Sequence, residues 1–85
     1  MADVRIYTTP ACGYCTMLKR LMRAKGVVFE EFDVARDSEK RRWLASATGR
    51  RTVPQLFIDG QPHGGYTDAV ALDRAGELDR LLGLA

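Results

Sequence analysis

Tyr7-Thr8-Thr9-Pro10-Ala11-Cys12-Gly13-Tyr14-Cys15-Thr16 holds both cysteines of the chain, two residues apart, between an apolar strand signal and a helix signal. A disulfide between Cys12 and Cys15 closes so short a loop that it removes little entropy from the unfolded chain, on the order of 2 kcal/mol or less after strain. Such a bond makes a poor staple. It makes a good reversible redox pair, and a C-x-x-C set in a strand-helix-strand pattern reads as a redox motif.

Upstream, Val4-Arg5-Ile6-Tyr7 reads as a short strand. From Tyr14 onward Leu18, Leu21 and Met22 recur at helical spacing, with Lys19, Arg20 and Arg23 off that face. Cys12 therefore falls at a helix N-terminus, where unpaired N–H groups and the positive end of the dipole favour the thiolate. Cysteines so placed have pKa values lowered from ~8.5 to roughly 3.5–7.5. Cys15, one turn in, is expected on the buried side as a neutral thiol. Lowering a thiol pKa by ~3 units raises its thiolate fraction about 30-fold at pH 7, and a Brønsted slope of ~0.5 weakens the nucleophile by about as much. The net benefit is in leaving: a mixed disulfide formed on Cys12 is discharged quickly by the next thiol.

The 85 residues suit one small domain, 1–85, with one modest core. With 46% hydrophobic and 28% charged residues the chain has an ordinary globular composition. A net charge of +2 is too mild to argue for a nucleic-acid partner, though it tolerates a small anionic ligand. No run approaches the ~18 apolar residues of a membrane span, and Met1-Ala2-Asp3-Val4-Arg5 lacks the apolar core of a signal peptide. The expectation is a cytoplasmic protein in a reducing compartment, where two cysteines point to catalysis or metal binding. Zinc is disfavoured because two further ligands at metal spacing are missing and His63 is the one histidine.

Lys25-Gly26 ends the first helix. Val27 to Val34 reads as a second strand, and Asp37 or Ser38 caps a second helix that points Trp43, Leu44 and Ala47 inward and stops at Gly49. Arg41-Arg42 is taken as a solvated face and Trp43 as core. The loop Arg50-Arg51-Thr52-Val53-Pro54 leads into a third strand, Gln55-Leu56-Phe57-Ile58. Asp59-Gly60 is a hairpin turn signal, and the return strand Gln61-Pro62-His63-Gly64 belongs at an edge because of its proline. His63 is taken as a solvated strand residue. Gly64-Gly65-Tyr66-Thr67-Asp68 turns into a last helix, with Thr67-Asp68 as its N-cap, and Gly76 interrupts before a final turn with Leu78, Leu81 and Leu82. The order is βαβαββα.

That order, with C-G-Y-C after the first strand, resembles the glutaredoxins, a branch of the thioredoxin fold. The likeness covers almost the whole chain. Its most specific parts are Thr8 to Cys15, Gly49 to Asp59, and Gly64-Gly65-Tyr66-Thr67-Asp68 followed by Ala71-Leu72-Asp73. The resemblance, closest to small bacterial dithiol members, implies an α/β fold with a four-stranded mixed sheet flanked by helices. It also implies a glutathione-dependent thiol-disulfide oxidoreductase with Cys12 as nucleophile and Cys15 as resolving thiol. Pro54 matches a cis-proline that leaves the Val53 backbone free to pair with the cysteinyl part of glutathione. Gly65 matches a position of close ligand approach. Thr67 and Asp68 match the residues that hold the γ-glutamyl end, Arg50 with Thr52 nearby the side that meets the glycine carboxylate, and Tyr14 an aromatic lying along the ligand. The implied partners are glutathione, glutathionylated or disulfide-containing proteins and, at one remove, glutathione reductase, with the chain acting as a monomer and without nucleic acid or membrane.

Two departures from the family pattern stand out. Gly13 replaces the proline of C-P-Y-C, and members lacking that proline include some that bind a [2Fe–2S] cluster between two subunits. An alternative is therefore a cluster carrier or sensor, a dimer ligated by Cys12 of each chain and two glutathiones. Thr9 replaces a lysine common three residues before the first cysteine, which leaves its work to Arg50 or Lys19. A further alternative is a small redoxin fed by a flavin reductase, against which the glycine-carboxylate cations and Gly65-Tyr66-Thr67-Asp68 stand.

Overall fold

The computed structural model describes residues 2–85; Met1, the first residue of the N-terminal stretch read above, lies outside the described residues. Strand β1 (Val4–Thr8) lies in the middle of the sheet. It pairs in parallel with β2 (Glu30–Asp33) and antiparallel with β3 (Gln55–Ile58), and β3 pairs antiparallel with β4 (Gln61–Pro62). The order β2-β1-β3-β4 is the expected four-stranded mixed sheet, with proline-bearing β4 at an edge. Around it stand α1 (Gly13–Ala24), α2 (Ser38–Thr48), α3 (Tyr66–Arg74) and α4 (Glu77–Leu82), the last being the expected final turn.

The period-2 alternation of β1 and β3 divides the core in two. Val4, Ile6, Leu56 and Ile58 meet Leu18 and Met22 of α1, Ala69 of α3, and Leu78 and Leu82 of α4. Tyr7 and Phe57 face the other way, toward Val34 and Leu44. Three helices thus cover one face and α2 the other. Lys25 Nζ, 2.7 Å from both Asp73 and Asp79, ties the end of α1 to α3 and α4. Its hydrogen bonds to those two carboxylates, Asp73 first, raise its pKa.

Three expectations need correction. Strand β2 begins at Glu30, not Val27. Gly26 takes a left-handed φ of 72° and Val27 donates to the Met22 carbonyl, so these residues close α1, and Val28 is 79% exposed. Pairing with β1 starts at Arg5↔Glu30. Strand β4 likewise ends at Pro62, so His63 and Gly64 lie beyond it. On α2 Leu44 is buried, but Ala47 is exposed and Trp43 is 46% exposed. Trp43 is a lid over the second core rather than part of it, its ring 5.6 Å from Phe57 and 5.5 Å from Tyr7, with Lys40 above it.

Candidate active site

The C-terminal end of β1 delivers the chain into the turn before α1. Ala11 there has a φ of 56°, a left-handed conformation that costs a non-glycine residue about 1 kcal/mol or more. This kink, which no feature of an alanine announces, turns Cys12 into the N-cap of α1. The Cys12 sulfur accepts a hydrogen bond from the Cys15 N–H at 3.1 Å, and the first turn of α1 holds no acidic residue to oppose charge on it. An N–H aimed at the sulfur favours negative charge there, as the helix terminus alone would. Cys12 is half-buried while Cys15 is 2% exposed. The two sulfurs are at bonding distance, on Cα atoms 5.2 Å apart. One sulfur is reachable from outside, and the other is reachable only through the first.

Across from Cys12 stands the segment before β3. The Val53 carbonyl oxygen is 3.9 Å from the Cys12 sulfur, and the Val53–Pro54 peptide is cis. Among the described residues, no backbone–backbone hydrogen bond engages Val53, and its carbonyl faces the Cys12 sulfur. Gln55 fixes this segment: its Nε2 donates to the Thr52 carbonyl at 2.9 Å from a buried position. Sequence reasoning counted Gln55 only as a strand residue. The signal available was a polar residue opening an otherwise apolar strand.

Behind Pro54 comes the start of α3. A Cβ on Gly65 would lie 3.2 Å from the Pro54 carbonyl oxygen, so the glycine serves this close backbone approach. Gly65, not Thr67-Asp68, is the N-cap, and the Asp68 carboxylate reaches back to its N–H at 2.9 Å. Thr67 lies in the first turn, exposed. Asp68 also accepts from Arg50, Nη1 to Oδ2 at 2.6 Å and Nη2 to Oδ1 at 3.4 Å. The sequence reading put Arg50 and Asp68 at opposite ends of one ligand. The structure joins them to each other.

That pairing has a sign. The Arg50 hydrogen bond, then the Gly65 N–H, hold the Asp68 carboxyl below its ordinary pKa. A depressed folded pKa adds stability that is present above the unfolded value of about 3.9 and is lost as pH falls through the folded one. The melting-temperature advantage of wild type over Asp68→Asn should therefore be full at pH 6 to 7, persist down to about pH 5, and be lost only as the pH falls below about 3.9. A difference independent of pH would remove the ion pair as its cause.

Tyr14, 59% exposed, stacks at 6.2 Å on Tyr66, which sequence reasoning had left without a role. Cys12, Val53, Pro54, Gly65, Asp68 and Arg50 thus form a continuous set of contacts, with Tyr14 and Tyr66 beside it and Thr52 held by Gln55. Only the Thr67 side chain makes no such contact among the described residues. On the other side of the cysteines a polar pocket of about 380 Å³ runs from Thr9 past Lys19 to Asp33. In it Glu31 accepts from Thr8 at 2.8 Å and from Lys19 at 3.0 Å. Burial pushes the Glu31 carboxyl up, but those hydrogen bonds outweigh it and hold its pKa below the usual value. Lys19, expected to help with a ligand carboxylate, is engaged here.

Among the described residues no three His, Cys, Asp or Glu side chains gather to hold a metal. One chain offers a cluster a single accessible sulfur, Cys12, so a four-ligand [2Fe–2S] site does not fit the residues of one chain.

A protein-family model described as Glutaredoxin matches residues 4–63. Glutaredoxin 3 of Escherichia coli strain K12 is 48% identical over 82 residues, covering 96% of this chain and 99% of that protein. The solution structure of glutaredoxin from Brucella melitensis superposes with a TM-score of 0.87 at 43% identity, covering 99% of this chain and 91% of the other. The crystal structure of a buckwheat glutaredoxin-glutathione complex superposes with a TM-score of 0.89 at 28% identity, over 96% of this chain and 77% of that one.

Proposed function

Since the chain belongs to the glutaredoxin family and is a thiol-disulfide oxidoreductase, we propose that it uses glutathione to reduce glutathione mixed disulfides and protein disulfides. The observation that carries this reading is the division of labour between the sulfurs: Cys12 caps a helix and is reachable, while Cys15 is buried one turn behind it. The Cys12 thiolate attacks the glutathionyl sulfur of a mixed disulfide. The old S–S bond breaks, the protein thiolate leaves and takes a proton from solvent, and glutathione stays as Cys12–S–SG. A second glutathione thiolate attacks that glutathionyl sulfur, releasing oxidised glutathione and restoring the Cys12 thiolate. With a protein disulfide, the Cys12 thiolate attacks one substrate sulfur and the other leaves as a thiolate that takes a proton; Cys15 then gives up its proton and attacks the Cys12 sulfur of that mixed disulfide, the second substrate thiolate leaves and is protonated, and the Cys12–Cys15 bond that remains is reduced by two glutathiones.

On this reading glutathione lies along Tyr14, Thr52, Val53, Pro54 and Gly65, its cysteinyl backbone pairing with Val53 as an added strand would. Its γ-glutamyl end meets Thr67 and Asp68 at the start of α3, and its glycine carboxylate meets Arg50. The Arg50–Asp68 pair must then open, each member exchanging its partner for a charge of the ligand. Support comes from Val53, which makes no backbone–backbone hydrogen bond among the described residues and whose carbonyl oxygen is 3.9 Å from the Cys12 sulfur, and from the buckwheat relative described as a complex with glutathione.

The deciding experiment is glutathione-driven reduction of a glutathionylated peptide, coupled to glutathione reductase, by wild type and Cys15→Ser. Both should turn over within about threefold of each other, and only wild type should reduce a protein disulfide, because the monothiol route never uses Cys15. Absence of turnover in both would overturn the reading.

A further inference from the structure

We propose that Glu31 accepts the proton that Cys15 must lose when it resolves a mixed disulfide held on Cys12. The proposal rests on the Cys12–Cys15 exchange proposed above and on no feature of the glutathione groove. A thiol attacks only as its thiolate, so a buried thiol needs somewhere to send its proton at that moment. Cys15 is 2% exposed, and it lines the polar pocket of about 380 Å³ together with Thr8, Lys19, Glu31 and Asp33.

The ladder between β1 and β2 builds the acceptor. Glu31 lies opposite Ile6, which packs on α1, so its side chain leaves the sheet on the α1 side, as Thr8 does two residues beyond Ile6. On α1, Cys15 and Lys19 are four apart and share a face. Thr8, itself 2% exposed, donates its hydroxyl to Glu31 Oε2 at 2.8 Å, and Lys19 Nζ donates to the same oxygen at 3.0 Å. Oε1 accepts no hydrogen bond among the described residues. Burial pushes the Glu31 carboxyl up, but the Lys19 and Thr8 hydrogen bonds and the charges of Lys19 and Arg23 hold it below its usual pKa, so it is a carboxylate wherever thiol exchange runs. As a mere tie between α1 and β2 a pair this exposed is worth at most about 1 kcal/mol. Asp33, the other carboxylate of the pocket, is occupied in the turn after β2, where its Oδ1 accepts from the Ala35 N–H at 2.9 Å.

The pocket is roomy and polar enough to admit water. Through pocket water the Cys15 proton passes to Glu31 as the Cys15 sulfur bonds to the Cys12 sulfur. The bond between Cys12 and the substrate sulfur breaks, and that sulfur leaves as a thiolate. Two electrons have then moved from the two cysteines to the substrate disulfide. Glu31, its side chain 36% exposed, returns the proton to solvent. A well-matched general base contributes about 10²- to 10⁴-fold; a carboxylate with a lowered pKa is a weaker base, so the expected gain is about tenfold.

The test needs no glutathione, so it reads the same whether or not glutathione is the reductant. Reduced protein is mixed in a stopped-flow instrument with an aromatic disulfide whose nitrothiobenzoate product is coloured. Attack by Cys12 releases the first equivalent and resolution by Cys15 the second. The product leaves as a stable thiolate, so the second phase follows the loss of the Cys15 proton. In wild type its rate should level off toward acid pH, where Glu31 still accepts the proton of a neutral thiol. In Glu31→Gln it should keep falling about tenfold per pH unit with the thiolate fraction, leaving the variant about tenfold slower than wild type at about pH 6 and equal to it at about pH 9. Asp33→Asn, which removes the same charge from the same pocket, should track wild type. Lys19→Met should keep the level region but raise its acid limit, since Glu31 loses a hydrogen bond that lowers its pKa. Equal rates in wild type and Glu31→Gln, a ratio between them that does not change with pH, or an Asp33→Asn profile matching that of Glu31→Gln would each overturn the proposal. A second phase that persists in Cys15→Ser would instead overturn Cys15 as the resolving thiol, and with it the reading beneath.

Discussion

Cys12→Ser is expected to lower glutathione-dependent turnover by at least about 10³-fold, to the background rate of glutathione alone. A serine hydroxyl is neutral near pH 7 and cannot take part in S–S exchange, so neither the first attack nor the storage of glutathione on the protein survives. The fold should survive well. Cys12 is the N-cap of α1 and accepts the Cys15 N–H, and serine is among the best residues for that task, with caps worth about 1 kcal/mol. Melting temperatures of reduced wild type and Cys12→Ser should therefore agree within a few degrees while activity is lost. Retained turnover would move the nucleophile to Cys15, which at 2% exposure would have to be uncovered first.

Leu56→Ala is expected to be the most damaging single truncation for stability. The side chain is fully buried at the centre of β3, in the core that joins the sheet to α1, α3 and α4. Leucine-to-alanine changes at such sites cost about 3 to 4 kcal/mol, the lost transfer free energy adding to the cavity left behind. At ~4–8 °C per kcal/mol for a chain of this size, the melting temperature should fall by about 12–32 °C. Urea melts would show a lower midpoint with an unchanged slope. A drop under about 5 °C would mean that the core between the sheet and α1, α3 and α4 closes over the missing side chain. The loss would reach the site, because the Leu56 N–H donates to the Gly64 carbonyl and its own carbonyl accepts from His63. Strand β3 is thus the beam on which both Pro54 and the Gly64-Gly65 turn are mounted.

What sequence could disclose followed from how local each feature is. The strand, the C-x-x-C and the helix after it lie within about twenty residues, and the backbone follows that reading almost residue for residue. The hairpin at Asp59-Gly60 was equally legible, since both residues take the positive φ that such a turn requires. Val27-Val28-Phe29 misled because β-propensity describes a surface waiting for a partner, and the ladder with β1 begins only at Glu30, after Gly26 and Val27 have closed α1. Trp43 misled because an amphipathic face marks only which side turns inward; how deep a ring sinks depends on what already fills the space, here Tyr7 and Phe57. The Arg50–Asp68 pair spans 18 residues and two elements, and no short-range pattern encodes it. Gln55 was hidden for the opposite reason. Its position was plain, but its task depends on Thr52 folding back to meet it.

The atom that reacts is also the atom that begins a helix. Through a catalytic cycle the Cys12 sulfur alternates between a charged thiolate and a neutral, bonded sulfur, and a charged acceptor holds its donor about twice as strongly as a neutral one. The amide of Cys15, aimed at that sulfur, is therefore a built-in gauge of the oxidation state. Its proton should resonate and exchange differently in each state, so the chemistry can be followed from one backbone N–H without a substrate, a dye or a coupled enzyme.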